Sequence, residues 1–119
     1  MVCWENTAGS DKRSPNWVSL GTVKPSEGYP QAQVRLADID GDGRVDYVVF
    51  DASTTNIYGW RNGAQQPGPP AYWYAMHGVF SGLPAHALSG WQFADLNGDH
   101  KDDLLWVDGN GQVSAKICH

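Results

Sequence analysis

Basic residues are scarce in this sequence. Its 119 residues carry 8 Lys and Arg against 13 Asp and Glu, a formal charge of −5. Nucleic-acid phosphates demand a basic face, so no nucleic-acid partner is expected. Long apolar runs are missing too. None approaches the ~20 residues of a membrane-spanning helix, which argues against a membrane partner. No segment shows the 3.6-residue periodicity of an amphipathic helix. A secretory leader is not visible either: Met1 is followed by Val2, Cys3 and Trp4, with no basic segment and no apolar one. The sequence therefore reads as a mature form or as an excerpt of a longer protein. Cysteine is limited to two residues, Cys3 and Cys118. A disulfide between them is expected, as in small secreted β-proteins, and would close a loop worth roughly 3–5 kcal/mol.

Glycine (14), proline (7) and tryptophan (6) are abundant, and aromatics make up 12% of the chain. Such a composition belongs to a folded, turn-rich protein and not to a disordered one. The order in it is a repeat. Asp95-Leu96-Asn97-Gly98-Asp99 lies 57 residues after Asp38-Ile39-Asp40-Gly41-Asp42. In the same register Tyr47-Val48-Val49-Phe50-Asp51 falls over Leu104-Leu105-Trp106-Val107-Asp108, and Trp17 falls near Trp73. A period of this size marks stacked supersecondary units. Alternating or compact β-branched and aromatic runs predict four strands in each: about 17–21, 33–38, 47–51 and 57–61, then 72–78, 90–95, 104–108 and 112–117. The organisation expected is a polar N-terminal segment (1–16), a first repeat (17–64), a Pro/Gly-rich connector (65–71) and a second repeat (72–119). The fold class is all-β, two four-stranded units.

Eight of the 13 acids crowd into the two loops that define the register. Oxygen donors at alternate positions of a tight loop are what a hard divalent cation needs. Calcium takes six to eight of them at roughly 2.3–2.6 Å. The first loop offers Asp38, Asp40, Asp42 and Asp46 with the Arg44 carbonyl; the second offers Asp95, Asn97, Asp99 and Asp103 with the Lys101 carbonyl. Two calcium ions are expected, and would reduce the formal charge from −5 to −1. The first site should be tighter, because the second replaces an Asp by neutral Asn97. His100 also stands in a turn position where the backbone should have positive φ, a conformation that suits glycine better. An EF-hand is excluded: its bidentate Glu at position 12 is Val49 or Trp106 here, and strands flank both loops.

These loops, Ala37-Asp38-Ile39-Asp40-Gly41-Asp42-Gly43-x-x-Asp46 and Phe93-Ala94-Asp95-Leu96-Asn97-Gly98-Asp99-x-x-x-Asp103, resemble FG-GAP/VCBS-type calcium-binding repeats. The resemblance spans about residues 17–117 and implies propeller blades with calcium at the loop residues just named. Two blades cannot close a ring, so three arrangements stay open: self-association into a homo-oligomer, a place in a longer chain, or two sheets facing each other as a compact sandwich. The resemblance also implies an extracellular, secreted location, and similarity to fungal lectins points to glycans as ligands.

Elsewhere little could do chemistry. The four histidines (His77, His86, His100, His119) lack metal-ligand spacing, no serine sits in a nucleophile elbow, and paired carboxylates occur only inside the loops. No catalytic residue is expected, and the chain reads as a non-enzyme. Trp60, Arg61, Asn62 and Trp73 form the best sugar platform, since a pyranose face stacks on indole while polar groups take its hydroxyls. The preferred reading is calcium-dependent recognition of a glycan. The alternatives are a structural or protein-interaction module that binds only calcium, and an accessory part of a secreted hydrolase.

Overall fold

Tyr47-Val48-Val49-Phe50 is the densest apolar run of the first repeat, and it becomes the buried centre of the main sheet. A computed structural model describes residues 2–6, 17–22, 24–63, 73–84 and 90–118. The run lies in β4 (Asp46–Asp51), between β3 (Val34–Ala37) and β5 (Asn56–Asn62), with β6 (Trp73–Phe80) outermost. All neighbours are antiparallel. The second repeat builds a C-terminal sheet of β7 (Trp91–Ala94), β8 (Asp103–Val107) and β9 (Val113–Lys116) in that order. Ala37 faces Asp46 across one ladder, and Ala94 faces Asp103 across the other, so the repeat seen in the sequence is kept in the hydrogen-bond register.

The two sheets stack face to face. Val48, Phe50 and Ile57 on one face of the central sheet, all fully buried, pack with Trp91, Leu104 and Trp106 of the C-terminal sheet. Phe80 and Leu83 extend this core outwards, and Phe93 packs against it. Ring contacts run through it, Phe50 to Trp91 at 5.9 Å, Trp91 to Phe93 at 5.5 Å and Phe80 to Phe93 at 6.3 Å. Each fully buried side chain of this size contributes roughly 1.5–3 kcal/mol, which makes the sheet–sheet seam the main source of cohesion.

The structure is all-β, with propeller-like blades and, among the described residues, no helix beyond a 3-10 turn at Gln31–Gln33. The grouping of strands differs from the expectation. The strand assigned to the start of the second repeat is β6, and it hydrogen-bonds to β5 at the outer edge of the central sheet. The strand expected at 17–21 is β2 (Trp17–Thr22). It pairs with β1 (Val2–Asn6) in a separate hairpin, although residues 1–16 had no expected strand. The C-terminal sheet consequently has three strands among the described residues. The physical reason is that periodicity identifies a strand but not its partner. The connector 65–71, His86 and His119 lie outside the described residues, as do the side chains of Cys3, Trp17 and His77.

The disulfide expectation is corrected. Cys118 is a free, buried thiol, and its Sγ donates to the Ile39 carbonyl at 3.4 Å. It sits in the seam between the sheets, where burial raises its pKa. The site suits a small apolar side chain more than half of an end-to-end staple.

Candidate functional site

Both acidic loops connect the first two strands of their sheets, and each is held by its own carboxylates. Asp38 Oδ1 accepts from the Gly41 and Asp42 N–H groups at 2.8 and 3.1 Å, and its Oδ2 accepts from Gly43 at 2.8 Å. Asp42 Oδ1 accepts from the Arg44 N–H at 2.8 Å. Such turns need a backbone at positive φ, which Gly41 (79°) and Gly43 (81°) supply. As a result Asp38, Asp40 and Asp42 present oxygens that all lie within 4.8 Å of one another. The set is hard, anionic and convergent, which fits a divalent cation of the calcium class. Burial, with the neighbouring Asp42 and Asp38 charges, raises the Asp40 pKa. Two guanidiniums partly offset this crowding: Arg44 Nη2 lies 2.6 Å from Asp42, and Arg61 Nε lies 3.8 Å from Asp40.

The second loop repeats the pattern with one carboxylate fewer among the expected ligands. Asp95 accepts from Gly98 and His100 at 2.7 and 3.0 Å, and Asp99 accepts from the Lys101 N–H at 2.9 Å. That last bond holds the Asp99 carboxyl below its ordinary pKa. Asn97 stands where Asp40 stands in the first loop, and its amide donates to Asp99 Oδ2 at 3.2 Å. His100 has φ of 70°, the strained geometry expected from the sequence.

Asp46 and Asp103 stand apart from the other expected ligands. Both are completely buried. Asp46 accepts from the Ile39 N–H at 3.0 Å and the Asn62 N–H at 2.9 Å. Asp103 accepts from Leu96 at 2.9 Å and Cys118 at 2.8 Å. Each carboxylate ties its loop to the end of the third strand counted from that loop's own first strand, at Asn62 in β5 and at Cys118 just past β9. Burial is the largest influence on Asp46 and pushes its pKa up to about 6; Asp40 and Asp42 add to the rise, while the two N–H bonds oppose it. Asp46 lies outside the convergent trio and sits beneath the loop as its foundation.

Asp102 was not singled out as a ligand, yet it joins the two loops. Its Oδ2 accepts from the Asp38 N–H at 2.8 Å, and its own N–H donates to the Asp38 carbonyl at 2.7 Å. Gly41 comes so close to the second loop that a Cβ there would meet Lys101 Cγ at 3.1 Å. The first loop thus touches both sheets.

The expected sugar platform is split. Strand alternation puts Trp60, Asn62 and Trp73 on one face of the central sheet and Arg61 on the other, where its guanidinium lies 5.0 Å from the Tyr74 ring. The Trp60 ring is already engaged, by the Tyr47 edge (centroids 5.7 Å apart) and by Lys24 Nζ at 5.2 Å. Lys24 is itself buried and ion-paired to Glu27. Asn62 Nδ2 donates to the Val45 carbonyl at 3.2 Å. Beside them Tyr29, Tyr58, Trp60, Ala75 and Met76 line a hollow of about 200 Å³. Tyr29 and Tyr58 gave no sequence signal beyond being aromatic, because a hollow depends on which strands become neighbours.

The sequence profile of the FG-GAP-like repeat matches residues 38–106, from the first acid of the first loop into β8. The chain belongs to the FG-GAP-like repeat family. No curated protein and no solved structure gave a match. The matched span contains both acidic loops and most of the seam between the sheets, so the FG-GAP-like repeat here is the unit that joins the loops to the core. As such it is an interaction module of the β-propeller type.

Proposed function

We propose that the first loop of this FG-GAP-like protein binds calcium, that the second binds it more weakly, and that the ion-stiffened module recognises a glycan outside the cell. The observation that carries the metal reading is the convergence of Asp38, Asp40 and Asp42 within 4.8 Å. Asp40 and Asp42 have only partly exposed arginines as counter-charges, so a divalent ion relieves their repulsion. Asp95, Asn97 and Asp99 provide one charge fewer, hence the ranking. Extracellular calcium modules work at dissociation constants of roughly 10⁻⁴–10⁻³ M, which matches loops as exposed as these.

The glycan reading rests on the hollow of about 200 Å³ beside Tyr29, Tyr58 and Trp60, a size and lining suited to one sugar ring. With its paired carboxylates all in the loops, the chain reads as a binding module and not an enzyme. A second reading, a protein-interaction module that binds only calcium, is favoured by the Lys24 and Tyr47 contacts that occupy Trp60. Glycan-array binding with calcium and with EDTA separates them. Calcium-dependent signals lost in Tyr58→Ala support the first reading; calorimetric calcium binding without any glycan signal supports the second. An absence of calcium binding removes both.

A further inference from the structure

The sequence holds three Asn-Gly pairs, at Asn62, Asn97 and Asn110. Asparagine is thermolabile, most of all before glycine, where no Cβ shields the following backbone nitrogen. That nitrogen can attack the side-chain amide, so each pair is a candidate for self-modification. The fold treats the three differently.

Asn97 is held at every reacting atom. Its Oδ1 accepts from the Asp99 N–H at 3.1 Å, and its Nδ2 donates to Asp99 Oδ2 at 3.2 Å. The attacking nitrogen, that of Gly98, donates to Asp95 Oδ1 at 2.7 Å. A carboxylate beside an N–H opposes its deprotonation. Asn62 is half-buried at the end of β5 and paired with Trp73, and its Nδ2 donates to the Val45 carbonyl at 3.2 Å. Asn110 is exposed in the turn between β8 and β9. Among the described residues its side-chain amide has no hydrogen-bond partner. The turn is a three-residue hairpin loop, closed by the Asp108 N–H on the Gln112 carbonyl at 2.9 Å, with Gly111 at φ 82°. The Gly111 N–H reaches the Asp108 carbonyl at 3.1 Å, the longest hydrogen bond of the turn.

We propose that Asn110 is a site of spontaneous deamidation in the folded protein, and that the fold spares Asn62 and Asn97. The Gly111 nitrogen loses its proton to solvent and bonds to Asn110 Cγ. The Cγ–Nδ2 bond breaks, the departing nitrogen takes a proton from water, and ammonia leaves behind a five-membered succinimide. Water then adds to one of the two ring carbonyls and reopens the ring. The product is aspartate, or isoaspartate with the main chain running through the β-carbon. One water enters and one ammonia leaves, and each event takes the formal charge from −5 to −6. β9 keeps its place because its far end is tied elsewhere. The Cys118 N–H bonds to Asp103 and Lys116 Nζ to the Ser81 carbonyl, both at 2.8 Å. The product is a folded, more acidic form of the protein.

The full chain, incubated at mildly alkaline pH with and without urea, tests this. EDTA is included so that only the chain's own hydrogen bonds guard Asn97. Peptide mapping by mass spectrometry reads each pair, isoaspartyl methyltransferase labelling reads isoaspartate, and ion exchange of native protein reads the acidic form. In native protein Asn110 should react at least about tenfold faster than Asn62 or Asn97, the factor for one guarding hydrogen bond that must open first. In urea the three rates should converge. Asn110→Gln, at an exposed position, should remove the acidic form. Native Asn62 or Asn97 reacting as fast as Asn110 overturns the proposal, as does an Asn110 that reacts only in urea. A ranking unchanged by urea overturns it too, because local sequence and not the fold would then set the rates. So does an acidic form that persists in Asn110→Gln.

Discussion

At the scale of single residues, the most informative groups are carboxylates with two different tasks. Asp38, Asp40 and Asp42 converge on a point, whereas Asp46 and Asp103 disappear beneath the loops to accept two backbone N–H groups each. In Asp46→Asn one of those N–H groups faces an amide donor instead of an acceptor. The loss should be roughly 1–3 kcal/mol, read from urea denaturation. The variant also isolates a pH effect. Asp46 has a folded-state pKa of about 6, above the ordinary carboxylate value of about 4. The folded state therefore holds the proton more tightly, and stability from this group is fully present below about pH 4 and lost as pH rises towards 6. In EDTA the wild-type protein should lose stability relative to Asp46→Asn across that window; a constant difference contradicts the assignment. Arg44 gives a prediction of opposite sign. Its side chain competes for Asp42, while its backbone carbonyl survives substitution. Arg44→Ala should tighten calcium binding about 2–5-fold, the worth of a partly exposed ion pair, and calorimetry that shows weaker binding counts against it.

At the scale of elements, the strands were legible because β-branched and aromatic residues alternate or cluster over short runs bounded by turns. Tyr47 to Phe50 and Leu104 to Val107 gave β4 and β8 almost to the residue. The positive φ of His100 was legible as well, because its equivalent in the first loop is Gly43. Pairing was not. Nothing local in Trp73–Phe80 says that it joins β5, and nothing near Asp102 says that it reaches Asp38, 64 positions away. Cys118 was misread for the same reason, since burial in a seam is a property of two sheets and not of a sequence window. A close approach of this kind makes a test at β7. Gly90 precedes the strand, and a Cβ there would sit 2.9 Å from the Val107 carbonyl oxygen, a backbone atom that cannot swing aside. Gly90→Ala should destabilise the protein by about 1–3 kcal/mol. An unchanged urea midpoint is inconsistent with the packing of β7 on β8.

At the scale of the whole molecule, the acidic loops and the core form one system. The first loop is bonded through Asp38 to Asp102 of the second, and through Asp46 to the end of β5. An ion at Asp38, Asp40 and Asp42 is thereby connected to both sheets, and its binding energy becomes folding energy for the stack as a whole. The most direct measurement is the unfolding of chelator-stripped protein with and without saturating calcium, in the wild type and in Asp40→Ala. At 100 times the dissociation constant each occupied site should add about 2.7 kcal/mol by mass action. Asp40→Ala should lose the gain that appears at the lower calcium concentration. Wild-type unfolding curves that superimpose in calcium and in EDTA would contradict the account.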